Sequence, residues 1–207
     1  MVIPAILEKD FSEIEKKIEL LQGVSDSFHI DFIDGIFAAN ETILDPALFA
    51  KFSKSNFLEA HLMVSDPIAY LDKLASAGFR RFIGHIEMMP DQVEFVAKGE
   101  SLGEVGLALD GKTPYEKVEV SLEDLDMLLF MTIDAGFSGQ TFKPLYLEKL
   151  KQVPPWFKNI EVDGGINDKT LPDALEAGAN IFAVTSFIYE SVDPAESFKE
   201  IKLIANC

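Results

Sequence analysis

Residues 28–35 read Phe-His-Ile-Asp-Phe-Ile-Asp-Gly, an apolar, strand-like run that carries a histidine and an aspartate two positions apart. Because side chains alternate faces along a strand, His29 and Asp31 point to the same side. An imidazole beside a carboxylate can supply two metal ligands, or one ligand and one base. A His-x-Asp pair by itself is more often a polar strand end with a solvated aspartate, so the elements around it must decide between these interpretations.

Short apolar runs alternate with amphipathic runs along the whole chain. The apolar runs predict eight strands. One begins at about residue 27, and the others span residues 2–7, 56–64, 81–87, 104–109, 127–133, 159–162 and 181–184. Between and after them, the 3.6-residue apolar spacing and the Asp-Pro starts predict helices over residues 10–21, from 45, 66–77, 92–102, within 115–124, 145–153, 169–177 and 194–204.

This alternation favours a parallel sheet, and eight strand–helix repeats favour a single closed (β/α)8 TIM barrel. We find no linker or shift in composition, so we expect residues 1–207 to form one domain. An open, doubly wound sheet is the alternative. The Gly-x-Gly-x-x-Gly motif that would follow its first strand in a dinucleotide-binding protein is missing, and we expect no nucleotide cofactor.

The composition excludes several classes of partner. The formal net charge is −17, which disfavours binding to nucleic acid or to an anionic membrane. We find no apolar run long enough to cross a bilayer and no signal peptide. The single cysteine is Cys207, so there is no disulfide framework. We therefore expect a cytoplasmic protein that acts on a small molecule.

In a (β/α)8 barrel the chemistry lies at the carboxyl ends of the strands. All three histidines fall there, namely His29, His61 and His85, together with the carboxylates Asp31, Glu87 and Asp163. Buried carboxylates are costly unless they are paired or bound to metal. The set His29, Asp31, His61 and Asp163 would suit one divalent transition metal ion such as zinc, iron, manganese or cobalt, although spacing alone does not establish that set.

The second half of the same rim is rich in glycine. Gly136-Phe137-Ser138-Gly139 follows the sixth predicted strand, Gly164-Gly165 the seventh, and Thr185-Ser186 the eighth. Loops after strands seven and eight commonly bind phosphate in this fold. Each glycine pair alone could be an ordinary loop feature, but their shared position favours a phosphate site.

Several long motifs resemble the ribulose-phosphate 3-epimerase family. The resemblance spans essentially the whole chain and is carried by residues 29–37 with Asn40, and by 60–64, 85–87, 108–114, 131–140 with Phe142, and 161–166. It implies C3 epimerisation of a ketose phosphate, D-ribulose 5-phosphate to D-xylulose 5-phosphate in the pentose phosphate pathway. It also implies His29, Asp31, His61 and Asp163 as metal ligands, and Asp31 and Asp163 as the two proton-transfer groups.

The resemblance assigns further residues to the substrate and to the pocket wall. The substrate and its phosphate would contact His61, Gly136, Phe137, Ser138, Gly139, Gly164, Gly165, Thr185 and Ser186. Residues lining the pocket or supporting the ligands would be Ala5, Ile33, Met63, His85, Glu87 and Met131. We expect a homo-oligomer.

The chain departs from the family pattern mainly at positions that would contact substrate. Ala5 replaces the family's serine, Glu8 replaces another serine, Ile33 replaces a methionine, and Thr185 replaces a glycine. A hexulose-phosphate epimerase, acting for example on allulose 6-phosphate, therefore stays open. So does a non-catalytic paralogue that binds metal or phosphate. A decarboxylase is disfavoured because His29-Ile30-Asp31 stands where such enzymes have Asp-x-Lys.

Overall fold

The computed structural model describes residues 1–137 and 139–206 and contains a closed barrel of parallel strands. In chain order the strands are β1 Val2–Ile6, β2 Ser27–Ile33, β3 Phe57–Met63, β4 Arg81–His85, β5 Glu104–Leu109, β6 Met127–Met131, β7 Ile160–Asp163 and β8 Ile181–Val184. β1 pairs with β8 in the register Val2↔Phe182 and Pro4↔Val184, which closes the barrel. The predicted (β/α)8 fold is confirmed, and the open sheet is not.

The helices surround the barrel, and Asp10, Asp91 and Asp193 cap the starts of three of them. They are α1 Phe11–Leu20, α2 Leu71–Ser76, α3 Gln92–Glu100, α4 Leu171–Glu176, α5 Ser186–Tyr189 and α6 Pro194–Ala205. Asp10 caps α1 by accepting a hydrogen bond of 2.9 Å from the Ser12 amide, and α1 buries Ile14 and Ile18 as its spacing predicts. No helix in the described part of the chain is long and apolar enough to span a bilayer.

Several segments expected to be helical form 3-10 turns instead. These are Pro46–Lys51, Pro67–Tyr70 before α2, Tyr115–Lys117, Leu122–Asp124 and Pro144–Gln152. The predicted starts are correct, since Asp45 accepts a hydrogen bond from the Ala47 amide. Pro46–Lys51 and Pro144–Gln152 bury side chains such as Phe49 and Leu147, so packing holds them without α-helical hydrogen bonding. The short helix α5 was not predicted.

The core has two layers, and the alternation along each strand assigns residues to them. Along β2, Phe28, Ile30 and Phe32 belong to the layer between the strands and the helices. His29 and Asp31 therefore lie on the opposite face, inside the barrel. The apolar part of the interior consists of Ile3, Ile83, Ala108, Met127, Leu129, Met131, Ile133 and Ile181.

Candidate active site and metal centre

A pocket opens at the carboxyl ends of the strands, where the sequence predicts the chemistry. Asp31 at the end of β2 and Asp163 at the end of β7 both line it. The remaining lining residues are Leu7, Met63, Met131, Ile133, Gly136, Phe137, Gly139, Gly164, Gly165, Ile166, Ala183, Thr185 and Ser186. Nearly all residues expected to contact substrate therefore lie around one cavity. Ser138 lies outside the described residues.

The four residues expected to bind metal converge at the base of this pocket. His29, Asp31, His61 and Asp163 each offer a ligand atom, and these atoms lie within 4.8 Å of one another. The Asp31 Oδ1 atom lies 3.3 Å from His29 Nε2 and 2.8 Å from His61 Nδ1. Asp163 Oδ2 lies 3.7 Å from the same His61 nitrogen. Two imidazoles and two carboxylates are a donor set that a divalent transition metal ion accepts.

The buried polar atoms of the cluster fit a bound cation. His29 and His61 are fully buried, and in the described residues His29 Nε2 has no hydrogen-bond partner. Buried polar atoms of proteins are normally satisfied, so an orphaned ring nitrogen that faces a carboxylate indicates a missing partner. The residues present therefore fit the metal that the sequence predicts.

The two aspartates of the pocket differ in proton affinity. Burial alone would raise the pKa of Asp31, but the neighbouring His29 and His61 rings outweigh it and hold that pKa well below its usual range. Burial and the nearby charge of Asp31 raise the pKa of Asp163 to about 7. In the metal-free protein near neutral pH, one carboxyl group is thus ionised while its neighbour can hold a proton.

The two histidines of the cluster are also in different states. Burial lowers the pKa of His61 to about 4, so its ring is neutral in the metal-free protein at neutral pH. Burial also disfavours a charge on His29, but its carboxylate neighbours Asp31, Glu161 and Glu59 outweigh it and raise its pKa well above the usual value. A protonated His29 therefore supplies the positive charge of the metal-free cluster.

Beneath the cluster lies a group of buried ionisable side chains that the sequence analysis missed. Burial and the nearby charge of Glu59 raise the pKa of one of them, Glu161, to about 8. Glu59 and Glu161 are fully buried, and His29 Nδ1 lies 2.7 Å from Glu59 Oε1 and 3.1 Å from Glu161 Oε1. Arg81 Nη1 donates to Glu59 Oε2 at 2.7 Å. Glu59 and Glu161 precede His61 and Asp163 by two positions, so strand alternation could have placed them on the inner face.

The glycines of the rim are required by the backbone. Gly164 and Gly165 have φ values of 115° and 67°, a region that favours glycine. A Cβ atom on Gly164 would lie 2.4 Å from Ile133 Cγ1, and one on Gly165 would lie 3.0 Å from the Phe142 amide nitrogen. The conformation and packing of this loop therefore require glycine, and both glycines line the pocket. Thr185 and Ser186 adjoin this segment at the start of α5.

The remaining residues that the resemblance assigned lie in two different places. Met63 and Met131 line the pocket, but in the described structure Ala5, Ile33, His61, His85 and Glu87 do not. His85 stacks on His61 with ring centroids 4.9 Å apart, and its Nδ1 lies 2.8 Å from Glu87 Oε2. Ala5 pairs with His29 in the β1–β2 register. These residues support the site from below or from the side. Leu7, Ile133, Ile166 and Ala183 line the pocket and were not predicted to do so.

Residues 1–189 match the model of the ribulose-phosphate 3 epimerase family. Similar curated proteins include the ribulose-phosphate 3-epimerases of Schizosaccharomyces pombe, 36% identical with 94% of this chain and 89% of that protein covered, and of Bacillus subtilis, 34% identical with 97% of each covered. The cytoplasmic isoform of the rice enzyme is 32% identical, with 97% of this chain and 92% of the rice protein covered.

Solved structures with the same fold have much lower sequence identity. KGPDC from Streptococcus mutans superposes with a TM-score of 0.76 at 16% identity, over 99% of this chain and 96% of that one. Orotidine 5'-phosphate decarboxylase from Pyrococcus horikoshii gives 0.71 at 18% identity, over 100% of each chain. These likenesses establish the barrel fold, and the sequence matches establish more: the chain is an isomerase that belongs to the ribulose-phosphate 3-epimerase family.

Proposed function

We propose that this protein interconverts D-ribulose 5-phosphate and D-xylulose 5-phosphate by epimerisation at C3. The observation that carries the proposal is that Asp31 and Asp163, from β2 and β7, line one pocket and form a buried cluster with His29 and His61. Relatives at 30–36% identity that are named ribulose-phosphate 3-epimerase support the choice of substrate.

Epimerisation removes the proton next to a carbonyl group and returns a proton to the opposite face of the planar enediolate. A single group would return the proton to the face from which it came, so two are needed. The ionised aspartate would accept the proton as a base, and the protonated one would donate a proton to the other face. In the metal-free protein Asp31 is the ionised group, and Asp163, with a pKa of about 7, is the one that can hold a proton. In the reverse direction the two residues exchange roles.

His29, Asp31, His61 and Asp163 would hold one divalent metal ion, zinc, iron, manganese or cobalt. When bound, such an ion polarises the substrate carbonyl and stabilises the negative charge that develops on its oxygen. The protein residues orient the substrate: Met63 and Met131 form an apolar wall on which the carbon chain can lie. The proposed reaction uses no nucleotide cofactor.

The opposite side of the pocket would bind the phosphate group. Gly164 and Gly165 line the pocket there, and Thr185 and Ser186 add hydroxyl groups. A phosphate fixed at this side would place C3 of the sugar near the aspartates. The binding energy of the phosphate would then hold the reacting carbon in the right orientation.

The test uses purified protein loaded in turn with zinc, iron, manganese and cobalt. We expect about one metal ion per chain, loss of activity with a chelator, and C3 deuterium incorporation when ribulose 5-phosphate is incubated in D2O. Formation of xylulose 5-phosphate should accompany the exchange. Absence of C3 exchange with every metal would overturn the proposal. Allulose 6-phosphate is run in parallel, and exchange with this hexulose alone would retain the reaction but replace the substrate.

A further inference from the structure

We propose that Arg81 and Glu59 are positioning residues that hold His29 in the orientation and tautomer needed to bind the metal. The inference rests on the proposed function, because it assigns a role toward the metal ion of that site. It concerns side chains that lie below the pocket and contact no substrate.

His29, Glu59, Arg81 and Glu104 form one row of side chains across neighbouring strands. The strand registers pair His29 with Glu59, Glu59 with Arg81, and Arg81 with Glu104. Residues paired in this way on parallel strands project from the same face, about 4.8 Å apart. The row therefore runs from the metal cluster through the barrel interior to Glu104, which is 44% exposed.

The hydrogen bonds that join His29, Glu59 and Arg81 are short and buried. Glu59 uses both oxygens, Oε1 toward His29 Nδ1 at 2.7 Å and Oε2 toward Arg81 Nη1 at 2.7 Å. Arg81 is anchored in turn, since its Nε donates to Glu104 Oε2 at 2.8 Å and its guanidinium lies over the Phe57 ring at 5.0 Å. Both carboxylate oxygens of Glu59 are thus held in place.

This arrangement determines which nitrogen of His29 is free. With Nδ1 donating its proton to Glu59, the lone pair of a neutral His29 ring resides on Nε2. That atom faces Asp31 Oδ1 at 3.3 Å and has no hydrogen-bond partner among the described residues. A carboxylate behind a metal-binding histidine fixes the ring and makes it a stronger ligand.

Glu161 is a second carboxyl group close to His29 Nδ1, and the ion pair with Arg81 favours Glu59 as the partner of that nitrogen. Glu161 Oε1 lies 3.1 Å from the same Nδ1 atom, yet the shorter contact of that nitrogen is with Glu59. Both glutamates are fully buried, but within residues 1–137 and 139–206 only Glu59 of the two forms an ion pair with Arg81. Glu161 therefore provides a matched control with the same side chain, depth and neighbouring nitrogen.

The experiment measures cobalt(II) affinity by competition with a chelator, and the cobalt absorption spectrum, in wild type and variants. We expect Glu59→Gln to weaken binding by about 10- to 100-fold and to shift the spectrum, because His29 loses its fixed partner. Glu161→Gln should change the affinity by less than about threefold. Arg81→Met should weaken binding less than Glu59→Gln, because Arg81 acts on His29 only through Glu59.

The double variant Glu59→Gln/Arg81→Met tests whether Arg81 acts through Glu59. If it does, the double variant binds cobalt no more weakly than Glu59→Gln alone. If the losses of cobalt affinity in the two single variants multiply in the double variant, Arg81 does not act through Glu59 and the proposal is overturned. The double variant also leaves no unpaired buried charge at these two positions. Its cobalt affinity can therefore be measured in place of that of Glu59→Gln if the single variant fails to fold.

Three outcomes separate this inference from the proposed function. A wild-type protein that binds cobalt and epimerises, but whose Glu59→Gln variant keeps the same affinity and spectrum, overturns only the positioning role. An equal or larger loss in Glu161→Gln would do the same. A wild-type protein that binds none of the metals overturns the metal centre itself.

Discussion

The side-chain amide of Asn40 donates a hydrogen bond of 2.8 Å to the carbonyl oxygen of Gly136. This bond joins the loop after β2 to the loop after β6, and Asn40 is buried although both loops lie at the pocket rim. Gly136 has φ 113°, and a Cβ atom on it would lie 2.4 Å from the Ala38 Cβ atom. The two loops are therefore packed against each other beside the substrate position.

Replacing Asn40 should loosen this contact and weaken substrate binding. Loss of one hydrogen bond is worth about 1 kcal/mol, so Asn40→Ala should raise the KM for ribulose 5-phosphate by roughly fivefold. Asn159→Ala is the control, because its amide donates to the Asp126 carbonyl oxygen at the other end of the barrel. Steady-state kinetics in which both variants change KM equally would contradict the role of the loop contact.

The two aspartates should both be essential for turnover. We expect Asp31→Asn and Asp163→Asn each to lower kcat by on the order of 10³-fold, because each removes a proton-transfer group. Asp34→Asn is the control, since Asp34 accepts hydrogen bonds from the Ile36, Phe37 and Ser65 amides and holds the loop. Metal content is measured beside rate, and near-normal turnover with metal retained would remove that aspartate from the mechanism.

Thr185 should contribute a hydrogen bond to the substrate phosphate. Thr185 lines the pocket, and its hydroxyl makes no capping hydrogen bond to α5 in the described structure. A hydrogen bond to a charged group is worth about 1.5–3 kcal/mol, so Thr185→Val should raise KM by about 10- to 150-fold. Thr185→Gly should be tolerated better, because it opens the backbone to the ligand. A valine variant equal to wild type, with a glycine variant of much lower KM, would identify Thr185 as an obstruction.

Glu87 should make the fold sensitive to acid. Burial alone would raise its pKa, but the hydrogen bond and charge of His85, assisted by the Asp110 amide, lower the pKa of Glu87 to about 2. Its stabilising contribution is therefore complete above the unfolded-state value of 4.5 and is lost as the pH falls through about 2.

Glu87→Gln should lower the free energy of unfolding at pH 7 by about 1.5–3 kcal/mol. Urea titrations from pH 7 to pH 2 should show the difference from wild type shrinking below pH 4.5. Below that pH the carboxyl group of the unfolded wild-type chain becomes protonated, whereas in the folded protein it stays ionised down to about pH 2. The exposed Glu100 provides a control as Glu100→Gln. A difference that stays constant over the whole range would show that the ionised form is not what stabilises the fold.

Local patterns in the sequence were sufficient for the elements and for pairs of residues within them. The spacing of Ile14 and Ile18 predicted the buried face of α1, and alternation along β2 put His29 and Asp31 on one face. The 3-10 turns at Pro46–Lys51 and Pro144–Gln152 were expected as helices because apolar spacing hardly distinguishes the two forms.

The sequence by itself thus determined the order of strands and helices, the barrel class and the inward-facing residues, because periods of 2.0 and 3.6 residues are local properties of the chain. Only the tertiary structure decided that Asp163 of β7 meets His61 of β3, and that Arg81 forms its buried ion pair with Glu59. These contacts depend on barrel closure and on the register between strands. A shift of one residue turns every side chain of a strand to the other face, so the register is fixed by the packing of the whole barrel.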